Sequence, residues 1–145
     1  MIKNREQFFK KLQHQLGVVP RKNAERACFR SANLVKNEAV KSILGGAKTG
    51  MPVTRYNPRR EHVTSAPGEA PASDTGFLAQ NIVAEIQVST GIVSEVIGIV
   101  RSTAPYSAHL EFGTSAMPAR PFLQPALDKN AQKIRRIFAK EGIIS

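Results

Sequence analysis

Between Gly45 and Thr75 the chain carries Pro52, Pro58, Pro67 and Pro71 together with Gly45, Gly46, Gly50 and Gly68. Proline removes a backbone donor and fixes φ, and glycine weakens any regular element from within. No long helix and no central strand can run through this stretch, and it shows no sustained apolar period. It reads as a long mobile loop or a loose hairpin that orders against a partner, because structureless stretches of about 30 residues are unusual inside a compact domain. The 145-residue chain then divides into four parts of a single domain: a helical N-terminal part (1–44), the flexible loop (45–75), a β-hairpin with a motif corner (76–120), and a C-terminal amphipathic helix (121–141).

On either side of the breakers, periodicity is clear. Gln7 to Leu16 reads as a short helix, with Phe9, Leu12 and Leu16 at helical spacing and Gly17 to end it. A longer helix from about Arg21 to Leu44 has Ala24, Cys28, Ala32, Val35, Ala39 and Ile43 on one stripe and Lys22, Arg26 and Arg30 opposite. Leu34 and Val40 fall outside the stripe, which predicts cover from a neighbouring chain. Ile82, Ala84, Ile86 and Val88 alternate with other residues, and a second β-rich run begins with Ile92 after Thr90-Gly91. Two such runs predict an antiparallel hairpin. Both faces of the second run are apolar, so it is expected inside a sheet. Tyr106 to Phe112 suits a helical turn closed by Gly113. From Pro121, Leu123, Leu127, Ile134 and Phe138 are expected to face the core, with Lys129, Lys133, Arg136 and Lys140 on the other side. The fold class is α+β, helices packed against a small antiparallel β-sheet.

Charge is unevenly spread. Residues 1–50 hold eleven Lys/Arg against three acids, residues 51–127 five against six, and residues 128–145 five against two. The net charge of +10 therefore sits on the terminal segments and points to nucleic acid or an acidic protein neighbour. No apolar run approaches the roughly 18 residues of a membrane span. The N-terminal residues lack the apolar core of a secretory signal. A single cysteine, Cys28, excludes an internal disulfide and fits a reducing compartment. A soluble protein folding inside the cell, with no membrane partner, is expected.

Patterns for catalysis are sparse. His14, His62 and His109 are scattered, and only His109 has a carboxylate nearby in sequence, Glu111. A metal site wants three or four ligands at recognisable spacing, and these residues do not supply them. There is no Gly-rich phosphate loop and no nucleophile elbow. Cys28 sits in an apolar helical stripe, where an inert core thiol is expected. No catalytic residue, cofactor or metal is assigned. Aromatic residues do not interleave with the basic ones, which argues against a single-strand stacking platform.

The most specific stretch is Tyr106-Ser-Ala-His-Leu-Glu111-Phe112-Gly113-Thr114-Ser-Ala-Met-Pro-Ala-Arg120-Pro121-Phe122-Leu. It resembles the signature of the head–tail joining, or tail-completion (minor tail), proteins of long-tailed bacteriophages. Ser65-Ala-Pro-Gly-Glu69-Ala-Pro71, followed by Asp74-Thr-Gly-Phe-Leu78, is similar to the same family in the same order. The resemblance covers about residues 65 to 127. It implies a non-enzymatic structural protein of the phage or prophage neck, forming a homo-oligomeric ring in which six copies are expected. Its partners would be the tail-terminator and head-completion proteins, and its place the virion, reached from the host cytoplasm. Tyr106, Glu111, Phe112, Gly113, Thr114, Arg120, Pro121 and Phe122 would then form the subunit interface or a structural motif. Lys129, Lys133, Arg136 and Lys140 could line a channel for passing duplex DNA.

The motif also has its own physical reading. Gly113 permits the positive φ of a tight turn. Met117 and Arg120 precede prolines and are biased towards extended backbone. Pro121 suits the start of a helix, which leaves Arg120 at the cap with no acceptor to offer the free N–H groups. Glu111 is expected either to pair with Arg120 or to sit against that helix end. Two other functions stand beside the assembly reading: nonspecific nucleic-acid binding, which the charge favours, and a small hydrolase using His62, His109 and Glu111.

Overall fold

The computed structural model describes residues 20–90 and 95–145. The expected helix at Gln7–Leu16 and the turn beginning at Gly91 lie outside the described residues. Helix α1 (Arg21–Gly45) follows Pro20, whose carbonyl accepts from the Asn23 and Ala24 amides. A hairpin of β1 (Pro52–Tyr56) and β2 (Arg59–Val63) comes next, then a short turn of helix α2 (Phe77–Gln80). Strands β3 (Ile82–Ser89) and β4 (Glu95–Ser102) form a second hairpin. Helix α3 (Ser107–Phe112) and helix α4 (Leu123–Lys140) complete the described chain. The architecture is α+β, as the periodicities require.

The β3–β4 ladder runs antiparallel from Ile82↔Ser102 to Ser89↔Glu95. Helix α1 lies across it so closely that a Cβ on Gly98 would stand 3.0 Å from the Cys28 carbonyl oxygen. Val35, Ala39 and Ile43 of α1 meet Leu78, Ala79, Ile82, Ala104, Phe122 and Ala126 in one buried cluster. Helix α4 packs antiparallel on α1. Its Lys129 bonds Glu38 at one end, and at the other the Asn23 amide donates to the Glu141 carbonyl at 3.2 Å. The end of α1 is closed by Lys48, whose ammonium donates to the carbonyls of Ile43 at 3.0 Å and Ser42 at 3.5 Å. The same ammonium reaches the Pro71 carbonyl at 3.1 Å, so one cation ties the helix end to the following strap.

Several expectations need correction. Of the two readings of 45–75, a long mobile loop or a loose hairpin, the structure gives a hairpin, with five paired positions from Pro52↔Val63 to Tyr56↔Arg59. Proline sits at the first residue of β1 and in the turn, the two places a ladder tolerates it. Among the described residues, strand β4 does not lie inside a sheet: it pairs with β3 alone and packs against helix α1. Helix α4 begins at Leu123, with Phe122 as its cap, two residues later than the proline signal predicted. Leu127 is 45% exposed rather than in the core. Ala126 and Asn130 take the buried line of α4, because contact with α1 is centred between the expected apolar stripe and the basic row. Val40 packs against the chain's own core and needs no neighbour to cover it.

Candidate assembly surface

The corner after α3 is built around one carboxylate. Helix α4 opens with three free backbone donors, on Phe122, Leu123 and Gln124, and Pro125 behind them has none to offer. Glu111 takes all three: Oε2 accepts from the Phe122 amide at 2.8 Å and the Leu123 amide at 3.0 Å, and Oε1 from the Gln124 amide at 2.9 Å. A negative charge at the positive end of the helix dipole adds to this. No side chain at the cap position itself does the work. The carboxylate arrives from 11 residues upstream, held there by α3.

Between Glu111 and the helix it caps, the chain makes a tight excursion. Gly113 has φ 74°, and its amide closes α3 by donating to the His109 carbonyl at 2.9 Å. A Cβ there would lie 2.8 Å from the Ala119 nitrogen, so the site excludes any other residue on conformation and on space. Thr114 and Met117 exchange backbone bonds, at 2.8 and 3.3 Å, and the Thr114 hydroxyl accepts from the Met117 amide at 3.1 Å. The Arg120 amide then returns to the Leu110 carbonyl at 2.6 Å. Of the two places considered for Glu111, the structure gives the helix end. The Arg120 guanidinium instead donates to the Ser65 carbonyl at 3.2 Å.

That bond joins the two stretches on which the family resemblance rests. The Gly68 amide also donates to the Ala119 carbonyl at 3.0 Å, and the rings of Phe77 and Tyr106 stand 6.2 Å apart. Glu69 holds the strap in shape, accepting from the Ala66 amide at 2.9 Å and from the amide and hydroxyl of Thr49. These bonds, those from Thr49 first, hold its carboxyl below the ordinary glutamate range. Asp74 anchors the first hairpin: Arg60 donates to it at 2.6 and 3.1 Å, and Arg55 stands 3.7 Å away. The Arg60 bonds are the first cause of its depressed carboxyl. Sequence reading passed over Thr49, Glu69 and Asp74, because their partners are distant in the chain and no local pattern announces them.

Two hollows flank the corner. One, of about 330 Å³, lies between the strap, the first hairpin and Arg120, and includes His62 and Asp74. The other, of about 620 Å³, is an apolar groove between α1, β4 and α4, with Glu111 and Phe112 on its rim. His62 and Glu111 thus belong to different hollows. His109 is exposed on α3, and both Glu111 oxygens are engaged by backbone amides. The residues of a hydrolase are not assembled into one site. Among the described residues, no group of three His, Cys, Asp or Glu side chains gathers as a metal ion would need, and no helix is long and apolar enough to cross a membrane.

Outwardly, the corner is apolar. Phe112 is 82% exposed on the side of the apolar groove, and Phe77 and Tyr106, each more than two-fifths exposed, line the other hollow. Thr114 is exposed, Pro121 half-buried and Phe122 fully buried. Lys129, Lys133, Arg136 and Lys140 are exposed together on α4. They are not an isolated row: Lys129 bonds Glu38, and that bond, with Lys41 and Lys133 nearby, holds the Glu38 carboxyl low. Arg26 and Arg30 of α1 bracket Glu141 at 3.0 and 3.4 Å. In comparisons with family models, curated proteins and solved structures, no family model, protein or structure matched this chain.

Proposed function

We propose that this chain is a structural subunit of a phage or prophage neck, assembling into a homo-oligomeric ring that completes the tail at its head-proximal end. The observation that carries the reading is the corner itself. Residues 65–78 and 106–123, which resemble tail-completion proteins, are bonded to one another through Ser65–Arg120 and Gly68–Ala119. The rigid unit they form turns Phe112 to solvent. A phenylalanine held outward at the end of α3, beside a tight glycine turn, has the properties of an interface residue, since Tyr, Trp and Phe are enriched in the cores of protein interfaces. Tyr106 and Phe77, paired with rings 6.2 Å apart on the side of the other hollow, offer a second exposed aromatic site.

In such a ring each copy would contact the next and, above and below, the tail-terminator and head-completion proteins. The basic residues of α4 would face duplex DNA through its phosphates and without base preference. Purified particles from the strain that carries this gene provide the test. Quantitative mass spectrometry should find the chain at a fixed, ring-like copy number, and electron microscopy of a tagged copy should place it at the head–tail junction. Particles lacking the chain altogether would contradict the reading.

A second reading, a nonspecific nucleic-acid-binding protein working alone, draws on the acid inventory. Glu25, Glu38, Asp74, Glu85 and Glu141 are held in ion pairs, and Glu69 and Glu111 by other donors. The positive excess is thus left to act outward. Salt-sensitive retention on duplex DNA by the isolated monomer, with no role in particles, would favour it.

A further inference from the structure

The groove between α1, β4 and α4, of about 620 Å³, has a mainly apolar lining. Its floor is Cys28, Ala32 and Val35, and its far wall is Leu127, Ile134 and Phe138. Two observations mark it as incomplete. Leu127 is 45% exposed although it lines the groove. Ser31, which also lines the groove, is only 7% exposed, yet its hydroxyl has no hydrogen-bond partner among the described residues. Burial also pushes the Cys28 thiol up, as expected for a thiol in apolar surroundings.

Residues 1–19 precede Pro20 and lie outside the described residues. Their sequence places Phe9, Leu12 and Leu16 on one stripe of a helix spanning Gln7–Leu16. A helix of about ten residues is marginal in water by itself and needs an apolar surface to lie on. We propose that residues 7–16 of the same chain dock this stripe into the groove. Reach permits it. Residues 17–20 can span roughly 13 Å when extended, and the helix adds roughly 15 Å. From Arg21 the groove floor begins at Cys28, roughly 10 Å along α1, and ends at Val35, roughly 21 Å along. The length of chain before Pro20 and the point where it enters the fold therefore match the groove's position, and its apolar stripe matches the lining.

Thiol cross-linking in the full chain tests this. With Cys28→Ala as background, Leu127→Cys supplies a half-exposed thiol in the groove wall. Phe9→Cys, Leu12→Cys and Leu16→Cys each supply one on the stripe, and His14→Cys supplies one on the opposite side of the same helix. A short bis-maleimide should join at least one stripe cysteine to position 127 within a single chain, seen as a cross-linked monomer by mass. The His14→Cys control should give a yield at least about tenfold lower. Cross-linked dimers would mean that a second copy fills the groove and would overturn the proposal. So would equal yields from stripe and control positions, or no cross-link in any stripe variant that circular dichroism shows to be folded.

Discussion

Glu111 joins two helices through one carboxylate. It satisfies the three amides at the start of α4 and fixes α4 relative to α3 in doing so. Hydrogen bonds to a charged group contribute about 1.5 to 3 kcal/mol, and loss of a helix cap costs about 0.5 to 2. Glu111→Ala should therefore lower stability by about 2 kcal/mol in denaturant unfolding, while Glu111→Gln, which keeps the acceptor oxygen, should lose less. Equal losses would mean that the cap does not depend on the carboxylate. Gly113→Ala should be at least as damaging, because positive φ and a 2.8 Å approach to the Ala119 nitrogen act together. Phe112 contrasts with both. At 82% exposure, Phe112→Ser should leave the unfolding midpoint of the monomer within about 0.5 kcal/mol of the parent and yet abolish association. The role of Glu111 was legible in the sequence, since a helix start at a proline with no capping side chain demands an acceptor from elsewhere. The choice between Arg120 and the helix end was not legible, because it depends on how the excursion at 113–120 folds back.

Among the elements, helices and the second hairpin were readable because their apolar residues repeat at 3.6 or 2. The first hairpin was readable only as one of two alternatives, a loose hairpin or a loop, with no strand bounds. Every residue of β1 is exposed and β2 shows only partial burial, so neither strand needs an apolar face and neither writes one into the sequence. The hairpin is held to the body by Asp74, through Arg60 and Arg55, and backbone bonds between Gly50 or Met51 and Thr64 continue its own ladder. Because the folded Asp74 carboxyl is depressed below its ordinary value of 3.8, its contribution is fully present above that pH. It is lost as pH falls through the lower folded value. Hydrogen exchange in β1 and β2, corrected for its intrinsic pH dependence, should therefore lose protection on acidification below about 4, ahead of α1. Asp74→Asn should show the weaker protection at neutral pH already. If exchange in the hairpin follows the same pH profile in parent and variant, Asp74 is not its anchor. Helix α4 gives the other lesson of this scale. A wheel drawn from the sequence put Leu127 in the core, but contact with α1 rotates the buried line to Ala126 and Asn130.

At the scale of the molecule, a net charge of +10 is arranged rather than scattered. Seven of the eleven acids are engaged in caps and pairs, while Lys133, Arg136 and Lys140 remain outward on α4 beside the Lys129–Glu38 contact. Exposed single charges are worth little each, but repeated around a ring they would build a continuous positive surface. Converting Lys133, Arg136 and Lys140 to Glu while keeping Lys129 leaves the α1–α4 contact intact. This variant should fold normally and still reach the particle, yet reduce DNA delivery in a salt-dependent way. Normal delivery would make these residues a solvated face. The assembly role itself, on which the other readings depend, is tested most directly by electron microscopy of lysates after the gene is deleted. The account predicts DNA-filled heads and complete tails lying separate, with joining restored by the parent chain and not by Phe112→Ser. Joined, infectious particles at normal yield in the deletion strain would contradict it.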